Sequence, residues 1–229
     1  MIIDIDVVSD FVCPWCFLGK ARLDCALEAF GQTHPDIETR VNWLPFFLNP
    51  DTPAAGVPYR AFLEAKFGGA RGADSVLAQV TKAAEPDGLA FAFDRIQRRP
   101  STMNAHRLAY RAQSLGFRQD QVRQLVVSLF EAHFQKGLDI GDTAVLADIA
   151  VACGDRRDAV LEYLAGLGGV AAVRRMAGQV QSQGIGGVPF FIFNRSLGVS
   201  GAQSPAVLGS ALLKALDAGA AAAPADPPR

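Results

Sequence analysis

The stretch that decides the fold is Cys13-Pro14-Trp15-Cys16, because it stands between a predicted strand and a predicted helix. Residues Ile2 to Ser9 alternate in polarity and are rich in β-branched side chains, which predicts a buried strand. After the motif, apolar residues recur at helical spacing from Leu23 to Phe30, and Gly31 is the candidate C-cap. The two cysteines are therefore expected at the N-terminus of a helix.

Each part of this motif has a chemical reason to stand at a helix N-terminus. The first turn of a helix has backbone N–H groups without partners and a partial positive charge, so it stabilises a thiolate. Two intervening residues let the second thiol reach the first, which allows a disulfide to open and close. Pro14 fits the first helical turn, where its missing N–H is not needed. The pattern predicts a redox-active dithiol, with Cys13 as the nucleophile and Cys16 as the resolving thiol.

Two other interpretations of the motif are half of a zinc site and a chemically silent pair of cysteines. A structural zinc site uses four ligands, usually as two spaced pairs. Cys25 and Cys153 are isolated and the histidines show no paired spacing, so no metal site is predicted. Cys25 and Cys153 lie in helical patterns and are expected to be small buried residues. A second, regulatory thiol pair is the alternative for them.

The composition limits the classes of function. The chain has 229 residues, 22 basic and 23 acidic side chains, and a net charge of −1. Its half-apolar content is typical of a globular protein, and the near-neutral charge argues against nucleic acid or an anionic membrane as the main partner. No apolar run reaches the roughly 20 residues that span a membrane. Asp4 and Asp6 interrupt the start where a secretory signal would lie, so a cytoplasmic protein is predicted.

The chain beyond the first helix divides into a helical middle and a strand-forming end. A second strand is predicted from Ile37 to Phe47, which completes a strand–helix–strand unit. Strand character returns from Val188 to Phe193 and from Leu197 to Ser200 as a hairpin, followed by a helix from Pro205 to Leu216 with Ser204 as its N-cap. The helices predicted between these parts are Tyr59–Phe67, Ala73–Glu85, Thr102–Leu115, Gln119–Lys136, Thr143–Ala152, Arg156–Leu164 and Gly169–Gln183.

This order predicts an α/β protein with a thioredoxin fold, βαβ followed by ββα, interrupted by a large all-helical insertion. The predicted division is a thioredoxin-like core over residues 1–50 and 184–217, a helical insertion over 51–183, and an Ala/Pro-rich tail over 218–229.

A second marker is Gly187-Val188-Pro189. A proline directly before an apolar β run indicates a cis peptide bond or the start of a strand. Combined with a Cys-x-x-Cys motif in this chain order, it predicts a cis-proline beside the dithiol. The backbone of Val188 would then be free to pair with an extended substrate segment.

The segment Asp10 to Lys20 resembles the active-site segment of DsbA-family thiol–disulfide oxidoreductases, in particular the FrnE-like branch. Further matching stretches are Trp43 to Pro50, Tyr59 to Phe67, Ala105 to Leu108, Gly187 to Phe191 and Val199 to Gln203. The resemblance covers residues 3 to 217. It implies a thioredoxin fold with a helical insertion, redox exchange through Cys13 and Cys16, and a cis bond before Pro189.

That branch is similar to the 2-hydroxychromene-2-carboxylate isomerases and the kappa-class glutathione transferases, which carry Ser at the position of Cys13 and bind glutathione. This chain keeps both cysteines, which favours disulfide exchange. It also has Pro100-Ser101-Thr102 where the family has Pro-Asn-Thr. The alternatives to a disulfide oxidoreductase are a glutathione-dependent isomerase or transferase, and a non-catalytic redox sensor or binding module.

The remaining candidate residues concern the substrate. Besides Val188 and Pro189, the substrate-binding candidates are Pro14, Trp15 and His106; Trp15 is expected to be partly exposed, and packing is the alternative for His106. The expected partner is a protein or small-molecule disulfide or thiol. No tightly bound cofactor is predicted, and glutathione is the candidate thiol partner.

Other polar and aromatic side chains are assigned structural roles. His133 is expected to be exposed or hydrogen-bonded on its helix. The pairs Arg98-Arg99 and Arg174-Arg175 are interpreted as solvated surfaces. Phe11, Phe17 and Phe46 are expected in the core.

Overall fold

The computed structural model describes residues 1–222 of the chain. Its helices and strands alternate first, then run through a helical stretch, and end in a hairpin and a helix. In order they are β1 (Ile2–Ser9), α1 (Pro14–Thr33), β2 (Glu38–Pro45), β3 (Val57–Pro58), α2 (Tyr59–Phe67), α3 (Ala70–Ala84), β4 (Arg98–Arg99), α4 (Met103–Ser114), α5 (Gln119–Phe134), α6 (Thr143–Ala152), α7 (Arg157–Ala165), α8 (Val170–Ser182), β5 (Phe190–Phe193), β6 (Leu197–Ser200) and α9 (Pro205–Ala222).

The main sheet has the strand order β2-β1-β5-β6. β1 pairs in parallel with β2, and Ile5 lies opposite Val41. On its other side β1 pairs antiparallel with β5, where Ile5 lies opposite Phe193, and β5 pairs antiparallel with β6. The sheet thus joins the N-terminal βαβ unit to the C-terminal ββα unit, which confirms the predicted thioredoxin fold. The stretch predicted as an all-helical insertion is not entirely helical, because β3 and β4 pair antiparallel within it.

Helix α1 lies between the sheet and the helical stretch. The Phe17 ring stacks on Phe130 of α5 with centroids 5.2 Å apart, and on Phe134 at 6.1 Å. Phe11 and Phe17 are each 2 % exposed, and Phe46 is 7 % exposed, as expected of core residues. The start of the helix that carries the cysteines is therefore packed against α5 by aromatic side chains.

Several boundaries differ from those predicted. Gly31 does not end α1, which continues to Thr33. The strand predicted from Val188 begins at Phe190, because Pro189 has no N–H to give to the sheet.

The last helix continues past Leu216 to Ala222, since alanine is the best helix former. The start of the predicted tail, 218–222, therefore belongs to α9, and residues 223–229 lie outside the described part of the chain. Among the helices of residues 1–222, none combines the length and apolarity needed to cross a membrane.

Candidate active site

The two cysteines of the motif lie at the start of α1, as the sequence predicts. Cys13 is the N-cap residue with an extended backbone, and Pro14 occupies the first turn. The carbonyl of Cys13 accepts hydrogen bonds from the N–H of Cys16 at 3.0 Å and of Phe17 at 3.3 Å. Both thiols are free, and Cys13 is close enough to raise the pKa of Cys16. The spacing thus brings two free thiols close together at a helix N-terminus.

The two thiols have different environments. Cys16 is 1 % exposed, and burial raises its pKa well above the usual range, with a further rise from Cys13. The backbone of Asp10 lowers this pKa, but it does not offset the effect of burial. Cys16 therefore stays protonated at neutral pH, as expected of a thiol that acts second.

Val188 and Pro189 lie directly beside Cys13. The Val188–Pro189 peptide bond is cis. The Cys13 thiol donates to the carbonyl of Val188, with Sγ and O 3.8 Å apart. On the far side, the N–H of Gly201 donates to the carbonyl of Pro189 at 2.8 Å. The backbone that precedes β5 is therefore held between the dithiol and the end of β6.

The surroundings of Cys13 restrict access to it. Cys13 is only 4 % exposed, while its neighbours Pro14, Trp15 and Val188 are half-buried. The partial exposure of Trp15 agrees with the sequence prediction.

His106 lies behind the motif rather than at the surface. It is 5 % exposed, and its Nε2 lies 3.5 Å from Oδ1 of Asp10 and 3.2 Å from the carbonyl of Phe46. Oδ2 of Asp10 accepts from the N–H of Leu48 at 2.9 Å. In this conformation His106 therefore contacts Asp10 and the backbone after β2.

Asp10 is a functional candidate that the sequence reasoning missed, although it directly follows β1 and lies only three residues before Cys13. Burial, the largest single effect, raises its pKa, but the nearby His106 and the hydrogen bond from the N–H of Leu48 lower it below the usual value. Asp10 is 1 % exposed. It is a buried carboxylate next to the dithiol segment.

Two cations of the helical stretch also act on the site. Arg99 is 4 % exposed, and its Nη2 donates to Oδ1 of Asn49 at 2.9 Å. Its guanidinium lies 4.4 Å from the ring centroid of Phe62, and Nζ of Lys66 lies 5.6 Å from the same centroid. Burial lowers the pKa of both cations, whereas the charge of Cys13 raises both. Both cations thus lie within electrostatic reach of the Cys13 sulfur.

Three residues differ from their predicted surroundings. Arg99 is buried rather than solvated, because Phe62 and Asn49 cover it. Cys25 is exposed on the outer face of α1, which contradicts its predicted burial, whereas Cys153 is buried as predicted. His133 is neither exposed nor hydrogen-bonded: it is fully buried on the inner face of α5, and both ring nitrogens lack partners. Residues 1–222 contain no group of three or more His, Cys, Asp or Glu side chains placed to hold a metal.

Known proteins resemble the chain over nearly its whole length. The family model described as DSBA-like thioredoxin domain matches residues 4–213. The uncharacterized protein YwbO of Bacillus subtilis is 26 % identical over 154 residues, which is 66 % of this chain and 66 % of that protein.

Solved structures resemble the chain over nearly its whole length. A probable DsbA oxidoreductase of Streptomyces coelicolor is 29 % identical with a TM-score of 0.82, over 99 % of this chain and 94 % of that one. The cytosolic disulfide reductase DsbM of Pseudomonas aeruginosa, solved with glutathione, is 16 % identical with a TM-score of 0.65, over 93 % of this chain and 99 % of that one. The chain belongs to the DSBA-like thioredoxin domain family of thiol–disulfide oxidoreductases.

Proposed function

We propose that the chain exchanges disulfides through Cys13 and Cys16. The observation that carries the proposal is the placement of two free thiols in a Cys-x-x-Cys spacing at the N-terminus of α1, with the Val188 carbonyl 3.8 Å from the Cys13 sulfur. A nucleophilic thiol, a resolving thiol and a substrate-facing backbone segment thereby meet at one point. We also propose that the chain belongs to the FrnE-like branch, as its motif stretches suggest.

In the reducing direction, the Cys13 thiolate attacks one sulfur of a substrate disulfide. A Cys13–substrate mixed disulfide forms, and the second substrate sulfur leaves as a thiolate that takes up a proton. Cys16 then loses its proton and attacks the Cys13 sulfur, which releases the first substrate sulfur as a thiolate. Two electrons pass to the substrate and a Cys13–Cys16 disulfide remains. The oxidising direction is the same sequence in reverse.

The proposed order of attack rests on the surroundings of the two sulfurs, since both are buried, Cys13 at 4 % and Cys16 at 1 % exposure. The raised pKa of Cys16 keeps it protonated, so it is a poor first nucleophile. Cys13 is the helix N-cap, where unpaired N–H groups favour a negative charge. Once Cys13 is joined to a substrate, Cys16 is the thiol that lies against its sulfur.

The substrate is proposed to lie along Pro14, Trp15 and Val188, with Pro189 holding the Val188 backbone in place. Half-buried apolar side chains and a backbone carbonyl suit an extended segment. His106 is buried against Asp10, so we propose that it supports the Asp10 segment; its direct contact with a substrate stays a prediction.

A glutathione-dependent isomerase or transferase is the second candidate, and the two cations favour it. Lys66 and Arg99 lie close enough for the charge of a Cys13 thiolate to raise their pKa values, so a small thiol that carries carboxylates would be attracted there. Glutathione, which is bound in the DsbM structure, is therefore the proposed thiol partner in either case. The cytoplasm, where glutathione is abundant, remains the proposed location.

The experiment that separates these functions compares Cys13→Ser, Cys16→Ser and the matched control Cys25→Ser, whose thiol is exposed far from the motif. With dithiothreitol as the reductant that regenerates the dithiol, we expect Cys25→Ser to reduce insulin and glutathione disulfide as fast as wild type does, and both active-site variants to fall to background. Full insulin turnover by Cys16→Ser would contradict the dithiol mechanism. Glutathione-dependent isomerisation of 2-hydroxychromene-2-carboxylate that survives in Cys16→Ser would favour the second candidate.

A further inference from the structure

We propose that Gly19 is a positioning residue that sets the distance between Cys13 and the Val188–Pro189 segment. The proposal rests on the proposed function, because it concerns how the enzyme holds an extended substrate next to the nucleophile. Gly19 touches neither the substrate nor the reacting sulfurs. It acts through Pro189.

The evidence is a close approach between α1 and the proline ring. A Cβ atom added at Gly19 would lie 2.8 Å from Cγ of Pro189 and 3.3 Å from its Cβ. It would also lie 3.2 Å from Cζ of Phe191. Carbon atoms in good contact lie about 3.5 to 4 Å apart. The proline segment therefore sits closer to the helix than any side chain at this position would permit.

The backbone of Gly19 does not itself require glycine. Gly19 lies within α1 and has no positive φ, so alanine could adopt its conformation. Glycine is also an unfavourable residue inside a helix. The close approach of Pro189 is thus the physical reason for glycine here.

The neighbours of Gly19 leave little room for adjustment. Phe191 is fully buried and paired with Val7 of β1, so its ring is fixed by the sheet. Pro189 is buried and closed into a ring, and Gly201 holds its carbonyl on the opposite side. An added methyl group must therefore displace the proline segment, and with it the Val188 carbonyl that contacts Cys13.

The test compares Gly19→Ala with Gly31→Ala, a control in the same helix where an added Cβ meets no atom within 4 Å. Two substrates separate positioning from damage: a peptide with an extended disulfide segment, and the small disulfide 5,5′-dithiobis(2-nitrobenzoate), which needs no backbone pairing. We expect Gly19→Ala to lower kcat/KM for the peptide at least about tenfold, since misplacement by less than 1 Å can cost that much. Its rate with the small disulfide should stay within about twofold of wild type, and Gly31→Ala should leave both rates unchanged on this scale.

Equal losses with both substrates, or no loss with either, would overturn the proposal. If Gly19→Ala fails to fold, the double variant Gly19→Ala/Pro189→Ala removes the closest contact; recovery of folding would support the proposal and continued failure would overturn it. If the wild-type protein reduces neither substrate, the proposed function is contradicted, and so is this inference.

Discussion

At the residue scale, the proposed tasks of the two thiols follow from their surroundings. Burial and the neighbouring Cys13 raise the pKa of Cys16, which keeps its proton in place. Cys13 occupies the helix N-cap with the Val188 carbonyl beside it. Burial also shifts the pKa values of ionisable side chains elsewhere in the molecule, and there the shift affects the stability of the fold.

The buried His133 predicts acid sensitivity of the fold. Burial lowers its pKa from 6.5 to about 4, so the unfolded chain binds more protons than the folded one between these two pH values. Stability that is complete above pH 6.5 is therefore lost as the pH falls toward 4, by about 3 kcal/mol. The lowered pKa of Asp10 adds a further loss below its usual value of 3.8.

The measurement is urea unfolding at pH 7.5, 5.5 and 4.5 for wild type and His133→Phe, a change that keeps an aromatic ring beside Tyr59 and Phe134. The free energy of unfolding of His133→Phe should depend much less on pH in this range than that of wild type. If the two proteins show the same dependence on pH, His133 is not the cause of the acid sensitivity.

Residue-scale predictions from the sequence succeeded where a short motif carried the chemistry. Cys13, Cys16 and Pro189 lie together because the order of strands and helix around them is set by local pattern. Arg99 and His133 were assigned wrongly because their burial depends on partners far along the chain, such as Asn49, Phe62 and Tyr59. No local pattern distinguishes a buried arginine from a solvated one.

At the element scale, one arginine closes the end of a helix in the insertion. Arg107 of α4 is 3 % exposed and donates to the carbonyls of Tyr163, Leu164, Gly166 and Gly168. These carbonyls lie at the C-terminal end of α7 and in the turn after it, where the helix offers them no N–H. The cation thus fixes α7 against α4 without a carboxylate partner among these contacts.

We expect Arg107→Ala to destabilise the protein by at least about 3 kcal/mol, because it removes four hydrogen bonds of a buried cation, one buried and three partly buried. Arg107→Lys should recover only part of the loss, since one ammonium cannot reach the same set of carbonyls. Arg118→Ala, on an exposed side chain, is the control and should change stability by less than about 0.5 kcal/mol. Chemical denaturation measures all three, and an unaffected Arg107→Ala would contradict the assignment.

At the β2 edge of the main sheet, a glutamine side chain pairs with the outward-facing backbone groups. β2 is an outer strand, and Gln113 of α4 accepts from the N–H of Trp43 at 2.7 Å and donates to its carbonyl at 3.2 Å. Gln113→Ala leaves both groups unpaired and should cost about 1 to 3 kcal/mol. In Gln113→Ala, amide hydrogen exchange at Trp43 should also be faster than in wild type. The control Gln124→Ala, on the exposed face of α5, should change neither the stability nor this exchange rate. Unchanged exchange at Trp43 would show that the edge is protected in another way.

Element boundaries were predictable where a strong stop signal was present. α6 matches its predicted range because Asp142 caps its first turn, and α2 matches because Gly68 adopts a left-handed conformation after it. Gly31 was misleading because its φ is helical and the pattern around it permits two more residues of helix. The end of α9 was missed because an alanine run has no apolar period that would mark a boundary.

At the scale of the whole molecule, we propose that the core (residues 1–50 and 184–217) and the insertion (51–183) form one cooperative unit. Arg22 of α1 donates to Asp87 at 2.9 Å, to the carbonyl of Ala83 at 2.8 Å and to that of Ala202 at 2.6 Å. It therefore joins the helix that carries the cysteines to both the insertion and the segment after β6.

Cooperativity predicts one unfolding transition. The two tryptophans, Trp15 and Trp43, report on the proposed core, whereas far-ultraviolet circular dichroism is dominated by the insertion helices. Both signals should give the same midpoint in wild type, and Arg22→Ala should lower both midpoints together. Two separate midpoints in wild type would show that the parts unfold independently.

The central claim is that Cys13 attacks and Cys16 resolves, and trapping the mixed disulfide tests it most directly. The variants Cys16→Ser and Cys13→Ser are prepared with Cys25→Ser, which removes the exposed thiol, and are incubated with glutathione disulfide before peptide mapping by mass spectrometry. We predict one stable glutathione adduct at Cys13 in the Cys16→Ser protein and none at Cys16 in the Cys13→Ser protein. An adduct that forms on Cys16 as readily as on Cys13 would contradict the account.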